Sequence, residues 1–305
     1  MPKFAIATAA YPVNPAFIAD FVSGVSVATQ GFGDVQLIVA AESWFDAKAA
    51  LKGLPANVIL DLHPASVPTT PAGLRRLMTG AAAQSDAEIV VFADFDDRLL
   101  TGALDLHAAA LTDADVSYGD MELIDETGHA LGRRFFEDAS VPVKFTGHAL
   151  LASRNFIGFT NSAVRGSMLE SEMPAIPDSV AAADWWFYTK LLAKGAHAQR
   201  TESEVTAYRV RRDSIVGHTV SSSPAVLRQR AGIALDHYAA LAPEMPHARS
   251  GYESILKLIA AIDSDPQGAI DNLSTQAGKP CVWFEDVEWA AARLPAGPSP
   301  VARAI

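Results

Sequence analysis

Apolar runs alternate with segments of helical periodicity through the first third of the chain. The strand-like runs are 4–11, 35–41, 57–63 and 88–94, and the helical segments include 15–29 and 71–85. Continuous apolar strands that alternate with helices predict a mostly parallel α/β sheet covered by helices on both faces. Ligands of such sheets bind beyond the carboxyl ends of the strands, so polar residues at those ends are the first candidates for a site.

The pattern changes in the middle of the chain. Segments 115–125 and 129–136 are strand-like on either side of a Thr-Gly pair, which predicts a hairpin. Segment 179–196 has helical spacing, and Ser179 is its predicted N-cap. We therefore expect a hairpin and a longer helix after the parallel part of the sheet.

Amphipathic helices are predicted at 225–241, 252–262 and 282–294. A run of small polar residues at 218–224 precedes them, so we predict an α/β domain over 1–217 and a helical C-terminal extension over 218–305. The apolar face of 252–262 could pack on the α/β domain, form a homodimer or lie on a membrane. Few basic residues flank it, which makes the membrane the weakest of the three.

Composition narrows the class of protein. The 305 residues are 50% hydrophobic and 19% charged, as in a globular protein with a large core. A net charge of −11 argues against a nucleic-acid-binding protein. The single cysteine, Cys281, excludes an internal disulfide and fits a reducing compartment. No signal peptide or membrane span is evident, so we expect a soluble cytoplasmic protein, with peripheral membrane attachment as a variant.

Three aspartates follow the fourth apolar run, in the stretch VVFADFDDRLL (90–100). If the strand persists, Asp94 and Asp96 point the same way, and two such carboxylates suit a hard divalent cation such as Mg²⁺ or Mn²⁺. The plainer alternative makes Asp96 or Asp97 the N-cap of a helix that starts near Leu99, with Asp94 in water.

A phosphatase of the haloacid-dehalogenase type is a further alternative. DFDDRL resembles its D-x-D-G-T strand end, with Asp94 as the nucleophile and Asp96 as the general acid. However, Asp97 and Arg98 replace the Gly-Thr pair, and three strand–helix units precede the motif instead of none. The phosphatase hypothesis is therefore much weaker than the metal-site hypothesis.

Four segments together resemble a family-two glycosyltransferase of the GT-A fold. They are EIVVFADFDDRL (88–99), ADVSYGDMELIDETGHALG (114–132), AADWWFYTKLLAKG (182–195) and YRVRRDSIVG (208–217). Their order and spacing match that family from about Phe4 to Gly217. The resemblance implies a Rossmann-like, mostly parallel sheet flanked by helices, and the transfer of a sugar from a nucleotide diphosphate to an acceptor hydroxyl with inversion.

The same resemblance assigns roles to four residues or pairs. Asp96 would bind Mn²⁺ or Mg²⁺, with Asp94 near the ribose and the outer shell of the metal. Asp184 would be the general base, with Trp185 and Trp186 on the acceptor side, where they would raise the pKa of Asp184 by excluding water. In the alternative reading, Asp184 is a first-turn acid of a helix and the tryptophans are core.

Departures from the family pattern fall on the nucleobase side. Ala40 and Ala41 replace the usual aspartate after the second strand, and Glu42 is the predicted substitute. Tyr11 is retained after the first strand, and Arg75 lies near an expected Arg-Asn pair. A UDP-sugar is the first candidate donor, and a glycan, a lipid-linked sugar or a protein is the predicted acceptor.

The closing loop carries a compact cationic group, Arg209, Arg211 and Arg212. Guanidinium groups fit phosphate oxygens, so Arg209 and Arg211 are candidates for the diphosphate, and a salt-bridged strand end is the alternative. His218 is a weak candidate metal ligand. A catalytically silent binder of nucleotides or glycans remains the second functional hypothesis.

Overall fold

The computed structural model describes residues 3–137, 140–169, 175–211, 221, 223–276 and 281–294. The strands are β1 (Phe4–Ala10), β2 (Val35–Ala41), β3 (Val58–Pro64), β4 (Ile89–Phe92), β5 (Arg98–Leu99), β6 (Val116–Tyr118), β7 (Met121–Ile124), β8 (Ala130–Arg134), β9 (Lys144–Thr146), β10 (Ser162–Arg165), β11 (His197–Arg200) and β12 (Thr206–Arg209). The α-helices are α1 (Pro15–Ala28), α2 (Ala47–Ala50), α3 (Pro71–Ala83), α4 (Ala103–Ala110), α5 (Ala149–Ser153), α6 (Ala183–Ala193), α7 (Pro224–Leu241), α8 (Pro246–Ser264), α9 (Pro266–Asp271) and α10 (Glu285–Ala292).

The strands form one large and one small sheet. The large sheet has eight strands in the order β3-β2-β1-β4-β10-β6-β11-β9, and only β10 and β9 run against the others. The small sheet has the order β5-β12-β7-β8. The chain passes from β1 to β2 and β3, and then crosses to the other side of β1 to form β4. The strand order therefore reverses between β1 and β4, which is where α/β sheets bind ligands.

Both faces of the large sheet are covered at its central strand β1. Successive residues of β1 enter opposite cores: Ala5 and Ala7 lie in one, and Phe4 and Ile6 in the other. A strand with covered faces on both sides needs apolar residues at every position, which explains its unbroken hydrophobic run. The predicted α/β class and sheet are confirmed.

Most predicted elements appear near their predicted bounds. The hairpin is formed by β7 and β8, with Gly128 at a φ of 86° in its turn. The helix predicted at 179–196 starts only at Ala183, so Ser179 is not its cap. Gly195 follows its C-terminal end at a φ of 95°, a left-handed conformation that glycine adopts without a steric cost.

The C-terminal helices share the core of the α/β part. Ile255, Leu258 and Ile262 of α8 are buried, and they belong to the same apolar cluster as Trp185 and Phe92. Of the three predicted uses of this face, packing on the α/β domain is the one observed. The homodimer stays a prediction, and most of the predicted boundary at 218–224 lies outside the described residues.

Over the described residues, no helix is long and apolar enough to cross a membrane.

Candidate active site

A cavity of about 330 Å³ opens beyond the carboxyl ends of β1 and β4. It is lined by charged residues that the sequence singled out, together with aromatic residues that it did not. The charged and phenolic lining residues are Tyr11, Arg75, Asp94, Asp96, Asp97, Asp184, Tyr208, Arg209 and Arg211. The remaining polar and aromatic ones are Asn155, Phe159, Trp283 and Phe284.

The three aspartates lie on a turn rather than on a continued strand. β4 ends at Phe92, and the amide of Asp97 donates to the carbonyl of Asp94 at 3.1 Å. Phe95, inside the turn, is fully buried against Phe21, with ring centroids 5.1 Å apart. The buried ring anchors the turn and leaves the flanking carboxylates on the cavity.

Two arginines neutralise the first two carboxylates. Arg75 of α3 forms an ion pair with Asp94, and Nη1 of Arg211 lies 2.8 Å from Oδ2 of Asp96. Burial raises the pKa of Asp94, and the neighbouring charge of Asp96 adds to that effect, while Arg75 opposes it. The ion pairs with arginine therefore offset the free-energy cost of burying the carboxylates of Asp94 and Asp96.

Asp97 holds the small sheet onto the turn. Its carboxylate accepts hydrogen bonds from the hydroxyl of Thr160 and from the amide of Arg209 at 2.7 Å. Burial raises the pKa of Asp97, and the charges of Asp96 and Asp94 raise it further. The alternative in which Asp96 or Asp97 caps a helix near Leu99 is wrong, because α4 starts at Ala103 with Gly102 as its N-cap.

Asp184 lies in the first turn of α6 and lines the same cavity as Asp94 and Asp96. Burial raises its pKa to about 6, and the charge of Asp94 adds to the rise, whereas the amide of Trp185 and the guanidinium of Arg75 lower it. A carboxylate with this pKa is ionised at neutral pH and is a far better proton acceptor than an aspartate in water.

The prediction that Trp185 and Trp186 lie on the acceptor side is wrong. Trp185 is fully buried, donates its indole N–H to the carbonyl of Leu151 at 2.6 Å, and stacks on His237 at 3.8 Å. Trp186 is 4% exposed, and neither ring is among the described residues that line the cavity. Helix α6 is buried on nearly all sides, so both rings are core.

Arg209 is fully occupied by protein partners. Its side chain is 0% exposed, forms an ion pair with Asp20, donates from Nε to the carbonyl of Asp96 at 2.9 Å, and lies over the ring of Phe17 at 4.3 Å. The salt-bridged alternative therefore holds for Arg209, and the prediction that Arg209 binds a diphosphate is wrong, because its guanidinium is buried and paired with Asp20. Arg212 and His218 lie outside the described residues.

The two nucleobase-side candidates lie at the ends of neighbouring strands. Tyr11 follows β1 and lines the cavity, and burial and the charges of Asp96 and Asp94 raise the pKa of its phenol. The amide of Glu42 donates to the carbonyl of Ala10 at 3.1 Å, which places Glu42 beside that strand end. Glu42 does not line the cavity, but its Oε2 is buried with no hydrogen-bond partner among the described residues.

A C-terminal segment supplies cavity residues that sequence reasoning missed. Trp283 and Phe284 precede α10 and line the cavity with Asn155, which pairs with Trp283 in an isolated antiparallel bridge. Phe284 has a φ of 62°, the one positive φ outside glycine in the described chain, at a cost of order 1–3 kcal/mol. The Trp-Phe pair ahead of two acids is the available signal, although the pattern of this segment by itself predicts only a helix over 282–294.

Solved structures share this fold. Residues 1–349 of TarS from S. aureus, in complex with UDP-GlcNAc, match with a TM-score of 0.55 and 16% identity, over 89% of this chain and 76% of that one. The mannosyltransferase PcManGT from Pyrobaculum calidifontis, in complex with GDP-Man and Mn²⁺, matches with a TM-score of 0.56 and 16% identity, over 90% of this chain and 79% of that one.

No protein-family model and no curated protein sequence matches the chain. The structural likeness nevertheless identifies the architecture: the protein has the GT-A fold, the α/β fold of nucleotide-sugar glycosyltransferases. Its cavity lies at the ends of β1 and β4, where the strand order reverses, which is the place where open α/β sheets generally bind ligands.

Proposed function

We propose that the protein is an inverting glycosyltransferase that moves a sugar from a nucleoside diphosphate to an acceptor hydroxyl. The observation that carries the proposal is the juxtaposition in one cavity of Asp184, whose pKa is raised to about 6, with Asp94 and Asp96 on the turn after β4. An activated base and a set of acidic and basic groups for a diphosphate are the two components that this reaction needs.

Asp184 acts as the general base. Its carboxylate takes the proton of the acceptor hydroxyl while that oxygen forms a bond to the anomeric carbon of the donor sugar. The bond between that carbon and the diphosphate oxygen breaks, and its electron pair leaves with the diphosphate. Attack opposite the leaving group inverts the anomeric carbon. The pKa of about 6 keeps the base ionised at neutral pH.

A divalent cation fits the residues on the donor side. Carboxylate oxygens are preferred ligands of Mg²⁺ and Mn²⁺, and these ions are often bound by one or two carboxylates plus phosphate oxygens of the ligand. The described residues contain no group of three His, Cys, Asp or Glu side chains that could hold a metal ion by themselves. Asp96 would hold the ion with Asp94 nearby, and the ion would stabilise the charge on the departing diphosphate.

Arginines complete the donor side. Arg211 at Asp96 and Arg75 at Asp94 lie on the cavity, where their guanidinium groups would bind the oxygens of an incoming diphosphate. Tyr11 and Glu42 are the candidates for the nucleobase and ribose, and a UDP-sugar remains the first candidate donor. TarS was solved with UDP-GlcNAc and the mannosyltransferase with GDP-Man, so both bases belong in the first screen.

A thermal-shift screen of UDP, GDP and their sugars, with and without Mn²⁺, tests the donor side directly. We expect one nucleotide to raise Tm in a metal-dependent way, and Asp96→Ala to remove the metal dependence. Donor hydrolysis by the wild-type enzyme, lost in Asp184→Asn while the Tm is no lower than that of the wild type, would establish turnover. Failure of all the nucleotides to stabilise the wild-type protein would sink the proposal.

The catalytically silent alternative has one observation in its favour. Asp94 and Asp96 are already paired with arginines, so the acids need no cation in the ligand-free protein. Tight nucleotide binding without hydrolysis or transfer, and no effect of Asp184→Asn, would select it. The phosphatase alternative is not supported, because its nucleophile, Asp94, is held in an ion pair with Arg75.

A further inference from the structure

One wall of the cavity comes from two segments that are far apart in sequence. Asn155 follows α5, Trp283 precedes α10, and the two pair as an isolated antiparallel bridge. The adjacent residues reinforce the connection: Nη2 of Arg154 lies 2.8 Å from Oε1 of Glu285. The wall is therefore held by a bridge and an ion pair side by side.

The indole of Trp283 is held in a fixed orientation. It packs against Phe135 with ring centroids 4.5 Å apart, and against Tyr208 in an edge-on contact with ring centroids 5.9 Å apart. It also lies close to the proposed base. A Cβ placed on Gly158 would be 2.6 Å from the ring of Trp283 and 3.0 Å from Oδ2 of Asp184, so only a glycine fits between them.

Asn155 brings an unpaired polar atom to this wall. The residue is 1% exposed and lines the cavity, and its Oδ1 has no hydrogen-bond partner among the described residues. A buried carbonyl oxygen without a donor carries a desolvation cost, which a bound ligand with a hydroxyl would remove. The wall thus combines a flat apolar ring, a buried acceptor atom and a nearby general base.

We infer that Trp283 and Asn155 form the acceptor subsite and that its ligand is a sugar ring. The C–H face of the ring packs on the indole, and one hydroxyl donates to Oδ1 of Asn155, which directs a second hydroxyl to Asp184. A mostly apolar pocket with a few placed polar groups is the usual form of a small-molecule site, and an oriented aromatic ring binds at little entropic cost. This inference rests on the proposed function for the identity of the reaction.

Binding of methyl glycosides tests the subsite without any turnover. Saturation-transfer NMR would compare methyl glycosides of glucose, mannose and N-acetylglucosamine with a serine-containing peptide, in the presence of the stabilising nucleotide. We expect a glycoside to bind the wild-type protein. Asn155→Leu, which keeps the volume and removes Oδ1, should weaken that binding about three- to tenfold.

Two further variants test the indole of Trp283, and a third is a control at another tryptophan. Trp283→Leu should weaken glycoside binding at least tenfold, and Trp283→Phe should retain most of it. Trp289→Leu removes an indole from α10 that is only partly buried and is not among the cavity residues, so it is the matched control and should bind as wild type. Nucleotide stabilisation should be unchanged in all four variants, which shows that the fold is intact.

The outcomes separate this inference from the proposed function. Donor hydrolysis with glycoside binding that survives Asn155→Leu and Trp283→Leu would overturn the subsite and leave the glycosyltransferase standing. Donor hydrolysis with binding of the peptide alone would overturn the sugar as acceptor. Glycoside binding that both variants abolish, without any donor hydrolysis, would uphold the subsite and overturn the proposed reaction. Absence of both activities would overturn both.

Discussion

The donor wall and the acceptor wall of the cavity are built on opposite principles. The donor wall consists of strand ends with two Arg–Asp ion pairs, Arg75 with Asp94 and Arg211 with Asp96. The acceptor wall consists of aromatic rings and Asn155, whose Oδ1 is buried and unpaired. Paired charges suit a highly charged ligand that exchanges partners, whereas an apolar wall with one unpaired acceptor suits a neutral ligand that supplies hydroxyls.

The largest expected effect comes from the base that lies between the two walls. Asp184→Asn should lower the rate of transfer by about 10²–10⁴-fold, because the amide cannot take the acceptor proton, while nucleotide binding is retained. Initial rates and thermal shifts measure the two properties. Asp105→Asn, which alters a first-turn acid of α4, is the matched control and should have wild-type activity. Full activity in Asp184→Asn would disprove the mechanism.

Loss of the Asp96 carboxylate from the donor wall should have the next largest effect on the rate of transfer. Asp96→Ala should reduce transfer by about 10²-fold or more and abolish the dependence on Mn²⁺, and a chelator should affect the wild-type enzyme in the same way. Metal titration monitored by Tm and by rate measures this. Asp113→Ala, in an exposed loop, is the control. A variant that still responds to Mn²⁺ would show that the ion binds elsewhere.

Gly158→Ala should damage the acceptor wall alone. The new Cβ would be 2.6 Å from the ring of Trp283, so the ring or the helix that carries Asp184 must move. We expect a tenfold to hundredfold loss of transfer and a loss of about 1–3 kcal/mol in the free energy of unfolding, with the affinity for nucleotide unchanged. Gly232→Ala in α7, where a Cβ meets no atom within 4 Å, is the control. A normal rate in Gly158→Ala would mean that the wall is not used.

The pH dependence of kcat/KM should also depend on the acceptor wall. Protonated Asp184 cannot act as a base, so kcat/KM should fall about tenfold per pH unit as the pH drops below about 6. Trp283→Leu admits water beside Asp184, and the inflection should then move to lower pH, toward the value of an exposed aspartate. Identical inflections in the two enzymes would assign the raised pKa to groups other than this ring.

The smallest expected effect concerns stability. The pKa of Asp184 is raised by folding, so its ionised form opposes folding: the group contributes stability only below the unfolded-state pKa of about 4, and that contribution is lost as pH rises through about 6. Asp184→Asn should therefore stabilise the protein at pH 7 by about 1–3 kcal/mol, and the gain should vanish near pH 4. Chemical denaturation at both pH values measures it. A variant that is less stable at pH 7 would contradict this account.

The two walls also differ in how far the sequence predicts them. Asp94 and Asp96 could be placed because a strand end is a local feature and parallel strands align their carboxyl ends at one edge. Asn155 and Trp283 could not, because their pairing joins irregular segments without any periodicity. The prediction that Trp185 and Trp186 lie on the acceptor side is wrong because α6 is buried on nearly all sides. The different directions in which two adjacent helical residues point therefore do not distinguish a core residue from a cavity residue.

The roles of the arginines were predicted only in part, for a similar reason. The sequence predicts one cationic group that includes Arg209 and Arg211, yet Arg209 is buried in an ion pair with Asp20, and it is Arg211 that pairs with the carboxylate of Asp96. Asp20 belongs to α1, near the other end of the chain. Neither segment alone contains a sequence pattern that would predict an ion pair between elements so far apart in the chain.

The bridge between Asn155 and Trp283 has a kinetic consequence. Contacts between distant segments form late because a long loop must close first, whereas β1, β2 and β4 assemble from neighbouring units. During refolding, amide protons of the central strands should become protected from exchange before those of residues 155 and 283. The protein would then pass through a state that already presents its diphosphate-binding edge but has no wall for the acceptor. In that state, water would be the only nucleophile with access to a bound donor.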